Sequence, residues 1–290
     1  MYWPEISKTD ILELDCVFQD FNYKNCLKTY GYSGFVFFDI GSVLLDLDWD
    51  AYINEFLKLL PDPSFKDHKE TFRILKKDSI LEKWCTGKIG SFDYALSFIH
   101  ALKKSAKLRD EDCTISIYDI KKADSIVVGA VRQNIIELAK NLRKKNFGIG
   151  VLSNATTWHE VVIEKRIPVR EIFDVTIFSQ DLGCEKPDPK IYDLAFLEAR
   201  NFILNKFNVK LNTKDVYFID DTPANVRAAR NVGWNAGLVN LINDDTLKNV
   251  LENRMNDEDL KIASKKRENL VFGYEASKRV EKIFGNLIKI

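Results

Sequence analysis

The chain has 290 residues, a length that accommodates one large domain or two modest ones. Its hydrophobic fraction of 46% can fill a core, and 43 basic residues balance 43 acidic ones, for a formal net charge of zero. That balance argues against nucleic-acid wrapping and against adhesion to an anionic membrane.

No apolar run approaches the roughly 18 residues that a membrane span needs. Met1 to Asp10 lacks a basic region followed by an apolar stretch, so no secretory signal is expected. Cys16, Cys26, Cys85, Cys113 and Cys184 are scattered and never form a CxxC pair. A reduced, cytoplasmic protein with neither a zinc site nor a disulfide framework is the expectation.

In chain order, residues 1–33 are polar, mostly helical in pattern and without a motif, and are set aside as an N-terminal extension. Gly34–Phe38 is an apolar run that ends at a polar turn and is predicted as a strand. From Trp49 to Asn134 the apolar spacing is helical, over Ala51–Leu60, Thr71–Trp84, Phe92–Lys103 and Ser125–Asn134. Residues 49–134 therefore read as an inserted all-helical domain, since a direct crossover between strands is much shorter. Strands are predicted again at Phe147–Leu152, Val175–Phe178 and Val216–Ile219, with a helix over Pro189–Arg200. Alternating strands and helices predict an α/β core with a doubly wound, parallel, Rossmann-like sheet, built from residues 34–48 and 135–245. Residues 246–290 are expected to form a helical C-terminal extension.

Ligands in such sheets bind beyond the carboxyl ends of the strands. Four segments place reactive groups there. Phe35-Val36-Phe37-Phe38-Asp39-Ile40-Gly41-Ser42-Val43-Leu44 runs a buried strand into an aspartate and a glycine turn. Backbone N–H groups around such a carboxylate can hold an anion; the plain structural reading is a turn-capping Asp. In Ile149-Gly150-Val151-Leu152-Ser153-Asn154, a strand ends in a hydroxyl and an amide, which suit phosphate oxygens and suit an N-cap equally well. In Cys184-Glu185-Lys186-Pro187-Asp188-Pro189, two prolines constrain a lysine-bearing loop that can bring one cation to a carboxylate and a phosphate. In Val216-Tyr217-Phe218-Ile219-Asp220-Asp221, adjacent carboxylates repel unless something offsets them. Magnesium, which takes oxygen ligands, is the natural candidate, and an acidic helix start is the structural alternative.

Together the four segments resemble the signature motifs of the haloacid-dehalogenase superfamily, in order and at suitable intervals. The inserted helical block looks like that family's helical cap. The resemblance implies that Asp39 is a nucleophile forming an aspartyl-phosphate, which water then hydrolyses. It implies that Ser153 and the Asn154 backbone hold phosphate oxygens, and that Lys186 neutralises charge between Asp39 and the phosphoryl group. Mg2+ would be bound by Asp39, the Gly41 carbonyl and Asp221, with Asp220 either a second ligand or bound through water.

One position departs from the pattern. The family usually has a second aspartate two residues after the nucleophile, serving as acid and base; here it is Gly41, as in some sugar-1-phosphate phosphatases that the segment resembles. Gly41 keeps the carbonyl and loses the acid, and a glycine also admits a positive φ that an aspartate would resist. The expected function is a magnesium-dependent phosphatase acting on a small soluble phosphomonoester. The alternatives are a weakened or non-catalytic phosphate-binding scaffold and a 2-haloacid dehalogenase, whose displacement of halide needs no metal. His159, just after the second motif, and the histidines of the insert, His68 and His100, are the remaining candidates for a proton donor.

Overall fold

The computed structural model describes residues 31–60, 68–107 and 114–238. The expected extension over 246–290, and residues 1–30 of the N-terminal one, lie outside the described residues.

Five parallel strands form the central sheet: β1 (Gly34–Phe38), β4 (Phe147–Ser153), β5 (Val175–Phe178), β6 (Val216–Asp220) and β7 (Asn235–Leu238). Their spatial order is β5-β4-β1-β6-β7, which puts β1 at the centre. Phe38 is in register with Val151 on one side and Ile219 on the other. The carboxyl ends of β4, β1 and β6 therefore lie side by side. A parallel sheet must be covered on both faces, and β1 shows it: all five residues are buried. Val36 and Phe38 join one apolar cluster, whereas Phe35 and Phe37 join the other. The first cluster is closed by α6 (Gln133–Lys144) through Ile135, Ala139 and Leu142. The second is closed by α10 (Pro189–Phe207), through Ile191, Ala195, Ala199 and Ile203, and by α11 (Pro223–Asn231), through Val226 and Ala229. Tyr32 and Ser33, on the near side of the expected extension boundary, belong to this core: Tyr32 is buried and the Ser33 N–H donates to the Asn146 carbonyl at 3.0 Å.

The insert contains α1 (Trp49–Leu57), α2 (His68–Lys77), α3 (Ile80–Cys85), α4 (Ser91–Ala106) and α5 (Ile117–Ser125). The helix expected over Thr71–Trp84 is two helices, broken at Ser79, whose φ of 53° is left-handed. Tyr52, Phe56, Trp84, Tyr94 and Phe98 are continuous with the apolar cluster on the α6 face of the sheet. The expectation of a purely helical block is corrected at its end. Val128–Val131 within the expected helix Ser125–Asn134 is a strand, β3, paired antiparallel with β2 (Leu45–Leu47). Its β-branched residues suit a pleated edge. A Cβ on Gly129 would stand 2.8 Å from the Asp46 carbonyl oxygen, so only glycine lets these strands approach. Thus the chain enters the insert through β2 and leaves it through β3. The remaining segments, α7 (Thr157–Arg166), α8 (Val169–Ile172) and α9 (Ser179–Leu182), connect the later strands. No helix among the described residues is long and apolar enough to cross a membrane.

Gly148 and Gly150 on β4 make room for the rings of Phe35 and Phe37; a Cβ at Gly150 would lie 2.8 Å from Phe37 Cε1. Gly150→Val should therefore overpack the core and cost about 1–3 kcal/mol. The urea midpoint should fall with the denaturant slope unchanged.

Candidate active site

The strand ends gather three carboxylates around one ammonium. Asp39 follows β1, Asp220 ends β6 and Asp221 follows it. One ligand-type oxygen from each lies within 4.8 Å of the others. Lys186 Nζ stands 3.0 Å from Asp39 Oδ1 and 2.6 Å from Asp220 Oδ2. It also donates to the Leu152 carbonyl at 2.9 Å and sits 5.3 Å from the centre of the Phe218 ring. Burial disfavours the lysine's charge, but Asp220 and Asp39 outweigh it, and its pKa is raised. The ammonium is kept charged.

The loop that carries Lys186 is held by Asn154. The Lys186 N–H donates to Asn154 Oδ1 at 2.9 Å, and Asn154 Nδ2 returns a bond to the Lys186 carbonyl at 2.8 Å. Sequence reading assigned the Asn154 backbone to phosphate and missed this use of its side chain, since the partner lies 32 residues away. Ser153 closes β4 and is buried beside the same cluster of strand ends. Pro189 occupies the first turn of α10, as expected, with Asp188 Oδ1 accepting from the Lys190 N–H at 2.9 Å.

The two adjacent aspartates differ in their commitments. Asp220 is fully buried. Its Oδ1 accepts from the Thr222 N–H at 2.7 Å, and Asn225 Nδ2 lies 3.1 Å from both of its oxygens. With Lys186 on Oδ2, the acceptor capacity of Asp220 is largely spent. Asn225 carried no signal in the sequence beyond its place after the motif. Asp221 is less buried, and its Oδ1 accepts from Thr222 Oγ1 at 3.2 Å. On Asp39, both contacts fall on Oδ1, from the Ile40 N–H at 2.7 Å and from Lys186, which leaves Oδ2 for chemistry.

Burial, only partly offset by Lys186, and repulsion from Asp220 and Asp221 push Asp39 up to about 7. Burial and Asp220 push Asp221 up to about 6 against Lys186 and hydrogen bonds from Thr222 and Ser42. A divalent cation among these carboxylates would reverse both shifts, because it favours the ionised forms. An all-oxygen, carboxylate-rich donor set of this kind fits magnesium.

Gly41 is where the structure adds most. Its φ lies outside the positive range, so backbone strain is not what excludes a side chain. The obstacle is Leu47 of β2: a Cβ at Gly41 would meet Leu47 Cδ1 at 3.0 Å. An aliphatic group stands against the position from which the family's acid would project.

The two histidines whose side chains are described are placed elsewhere. His159 Nε2 lies 2.9 Å from Oδ2 of the buried Asp124 in α5, so it joins the core helix α7 to the insert. His100 lines a groove of about 300 Å³ within the insert, with Ile74, Leu75, Ile80 and Leu96. The side chain of His68 lies outside the described residues. Trp84 is buried and stacks on Tyr94 at 3.5 Å, so it packs within the insert. Burial pushes the Cys85 thiol up to about 12, which makes it inert.

The carboxylate–lysine cluster lies at the carboxyl edge of a parallel α/β sheet, where ligands bind in such folds. The family model for haloacid dehalogenase-like hydrolases matches residues 35–233, and the chain belongs to that family. A hydrolase of Schizosaccharomyces pombe is 30% identical over 99 residues, 34% of this chain and 42% of the relative. The match thus spans less than half of that relative's length. Among solved structures, an enzyme of the family from Bacteroides thetaiotaomicron, in complex with magnesium and inorganic phosphate, is 22% identical with a TM-score of 0.56. The match covers 71% of this chain and 93% of that one. A hydrolase of the family from Porphyromonas gingivalis is 17% identical with a TM-score of 0.53, over 76% and 98% of the two chains. At these identities the structures establish the shared fold.

The His159–Asp124 pair generates a pH prediction. Burial opposes the imidazolium, but Asp124 outweighs it and raises the His159 pKa. The sign follows: the pair's stabilisation is full below the ordinary histidine pKa of about 6.5 and is lost as pH rises through the raised value. The stability gap between wild type and His159→Gln should be largest near pH 6, at roughly 1–3 kcal/mol, and should narrow at alkaline pH. Thermal melts across pH read it directly, and a gap that stays constant would refute the pairing.

Proposed function

We propose that the chain is a magnesium-dependent phosphatase that hydrolyses a small phosphomonoester through an aspartyl-phosphate on Asp39. The observation that carries this reading is the charge count at the strand ends: three clustered carboxylates against one ammonium. A buried excess of negative charge is costly unless paired. A dication brings the count to zero, and its charge, with that of Lys186, would then face the oxygens of an incoming phosphate. The magnesium and phosphate in the Bacteroides enzyme's complex support the same assignment. The retention of both Asp220 and Asp221, which metal-free displacement of halide does not need, weighs against a dehalogenase.

Asp39, Asp221 and the Gly41 carbonyl would hold the ion, and its charge would stabilise the equatorial oxygens of the transferring group. The burial and saturation of Asp220 support an indirect role for it, orienting Lys186 and water at the ion. Oδ2 of Asp39 attacks phosphorus while the bond to the leaving oxygen breaks. Ser153 and the Asn154 backbone N–H hold phosphoryl oxygens, and Lys186 neutralises charge between them and Asp39. Water then attacks the phosphorus of the acyl phosphate, releasing inorganic phosphate and restoring the Asp39 carboxylate.

The assignment is tested with para-nitrophenyl phosphate. Asp39→Asn should abolish turnover while leaving the melting temperature near that of wild type, because the amide has the same shape and attacks poorly. Chelation should remove activity and magnesium should restore it, whereas calcium, being larger, should restore little. Full activity in chelator would refute the metal assignment.

Leu47 against Gly41 favours one restriction within this reading, namely leaving groups that depart without a proton. Aryl phosphates and sugar 1-phosphates should outrun alkyl phosphates such as glycerol phosphate. Gly41→Asp alone should gain little, because its side chain meets Leu47. Gly41→Asp combined with Leu47→Ala should raise rates on alkyl substrates by up to about 10²–10⁴-fold, the range that general acid catalysis supplies. Equal wild-type rates across leaving groups, with chemistry rate-limiting, would show that another group donates the proton. A non-catalytic phosphate-binding protein is the second reading, favoured by the same contact; phosphate binding without turnover of any aryl phosphate would select it.

A further inference from the structure

Arg132 is the first residue after β3 and the residue that starts α6, at the point where the chain leaves the insert. It is 3% exposed, and burying a guanidinium is costly unless its donors are matched. Nε and Nη2 donate to Asp46 Oδ1 at 2.8 and 2.6 Å. These contacts clasp β3 to β2, alongside the backbone bonds from the Arg132 N–H to the Leu44 carbonyl at 2.8 Å and from the Asp48 N–H to the Val127 carbonyl at 2.9 Å. On the core side, Arg166 Nη1 donates to the Gly129 carbonyl at 2.8 Å.

A clasp between the two strands needs nothing more, yet Arg132 does more. Nη1 reaches past β2 to the Ser42 carbonyl at 2.5 Å, inside the turn that follows Asp39. Ser42 is held at φ 59°, a conformation that costs a non-glycine residue free energy and persists only where its surroundings hold it. The turn is closed from the other side by the Leu44 and Leu45 N–H groups donating to the Ile40 carbonyl at 2.8 and 3.0 Å. Gly41 is inside this turn, and the Ser42 hydroxyl hydrogen-bonds to Asp221. One buried side chain therefore touches the entry strand, the exit strand and the turn that presents the Gly41 carbonyl.

We propose that Arg132 is a positioning residue that couples the seating of the helical insert to the geometry of the metal site, by fixing the Ser42–Val43 peptide and, through the left-handed Ser42, the neighbouring peptide that presents the Gly41 carbonyl. The inference rests on the magnesium reading above. A movement of the insert about β2 and β3 carries the Arg132 guanidinium with it, and so shifts the turn and the carbonyl it presents. Closure of the insert then favours a formed metal site, and metal binding favours closure, because such coupling is reciprocal.

The test uses the full-length protein and Mn2+ as a paramagnetic probe, with free Mn2+ measured by electron paramagnetic resonance. Magnesium titrations of para-nitrophenyl phosphate hydrolysis accompany it. Arg132→Lys keeps the charge but cannot fork between Asp46 and Ser42. It should weaken Mn2+ binding roughly 10-fold, within the range found for residues that couple sites without touching ligand, with a matching rise in the magnesium requirement. At saturating metal, the KM for substrate should stay near wild type. Asp46→Asn, which keeps an acceptor oxygen for the hinge contact and leaves the Ser42 contact intact, should weaken Mn2+ binding clearly less than Arg132→Lys does. Melting temperatures identify any variant that fails to fold; if Arg132→Ala does, the lysine variant carries the result. Wild-type Mn2+ affinity in a folded Arg132→Lys protein overturns the proposal. An equal loss in Asp46→Asn also overturns it, since the hinge alone would then be responsible. If the wild-type protein binds no Mn2+, the magnesium reading itself falls and this proposal with it, an outcome distinct from the other two.

Discussion

The structure turns on the ammonium of Lys186 between the carboxylates of Asp39 and Asp220. Removing carboxylates from water is costly, and clustering them adds repulsion. Here the two strands that deliver them are parallel neighbours, with Phe38 of one in register with Ile219 of the other, so the fold leaves the acids no room to separate. Covering both faces with helices removes the water that would otherwise screen them. A cation must be brought in, and it comes from a loop rather than a strand. That loop is then fixed by the two reciprocal bonds to Asn154 and by the Leu152 carbonyl under Nζ. Much of the local architecture, including the fully occupied Asp220, serves to hold one charged nitrogen in place.

Lys186 answers only part of the problem. Asp39 stays pushed up to about 7 despite the contact, with burial as the largest cause. A site satisfied by its own residues would show ordinary or depressed carboxylates, as exposed paired acids such as Glu137 do. The residual imbalance is what a dication, as proposed above, would offset at Asp39 and Asp221, whereas Asp220 is already committed to protein donors. Adjacent residues in the sequence thus differ in their surroundings: the Thr222 N–H and Asn225 Nδ2 occupy Asp220, whereas Asp221 receives only the Thr222 hydroxyl and the Ser42 side chain.

Much of this was legible in the sequence, for physical reasons. The core strands are near-continuous apolar runs because both faces of the sheet are buried, so Gly34–Phe38 and Val175–Phe178 were found at their exact limits. The reactive residues follow those runs directly, and a parallel sheet leaves them little choice of location. What stayed hidden depends on contacts between distant segments. β2 and β3 are three and four residues long, and their pairing is set by Gly129 against the Asp46 carbonyl, which no periodicity records. Val128–Val131 reads as helix in sequence because three apolar residues around a glycine fit either period. Asn154 reads as a turn former and acts as a strut for a loop 32 residues away. His159 was a candidate acid by proximity in sequence, and Asp124, from the insert, claims it.

The same short hinge strand accounts for the glycine in the first motif. Leu47 lies on β2, and its Cδ1 occupies the approach a side chain at position 41 would take. Gly41 is therefore more than a deleted acid: the space has been given to an apolar contact that packs the hinge against the turn. An acid at 41 would need room, and Leu47 would have to shift to provide it. β2 also carries Asp46, whose side chain points into the Arg132 clasp, so successive residues of one strand seal the turn and tie it to the exit strand. Alternation along a strand sends neighbours to opposite sides. This lets β2 contact Gly41 with Leu47 and Arg132 with Asp46 at once. A turn braced from both sides has the direction of its carbonyl set by β2, which is what the metal site proposed above, built partly from backbone, would require. The apolar contact at Gly41 and the clasp on the exit strand are thus two consequences of one three-residue strand.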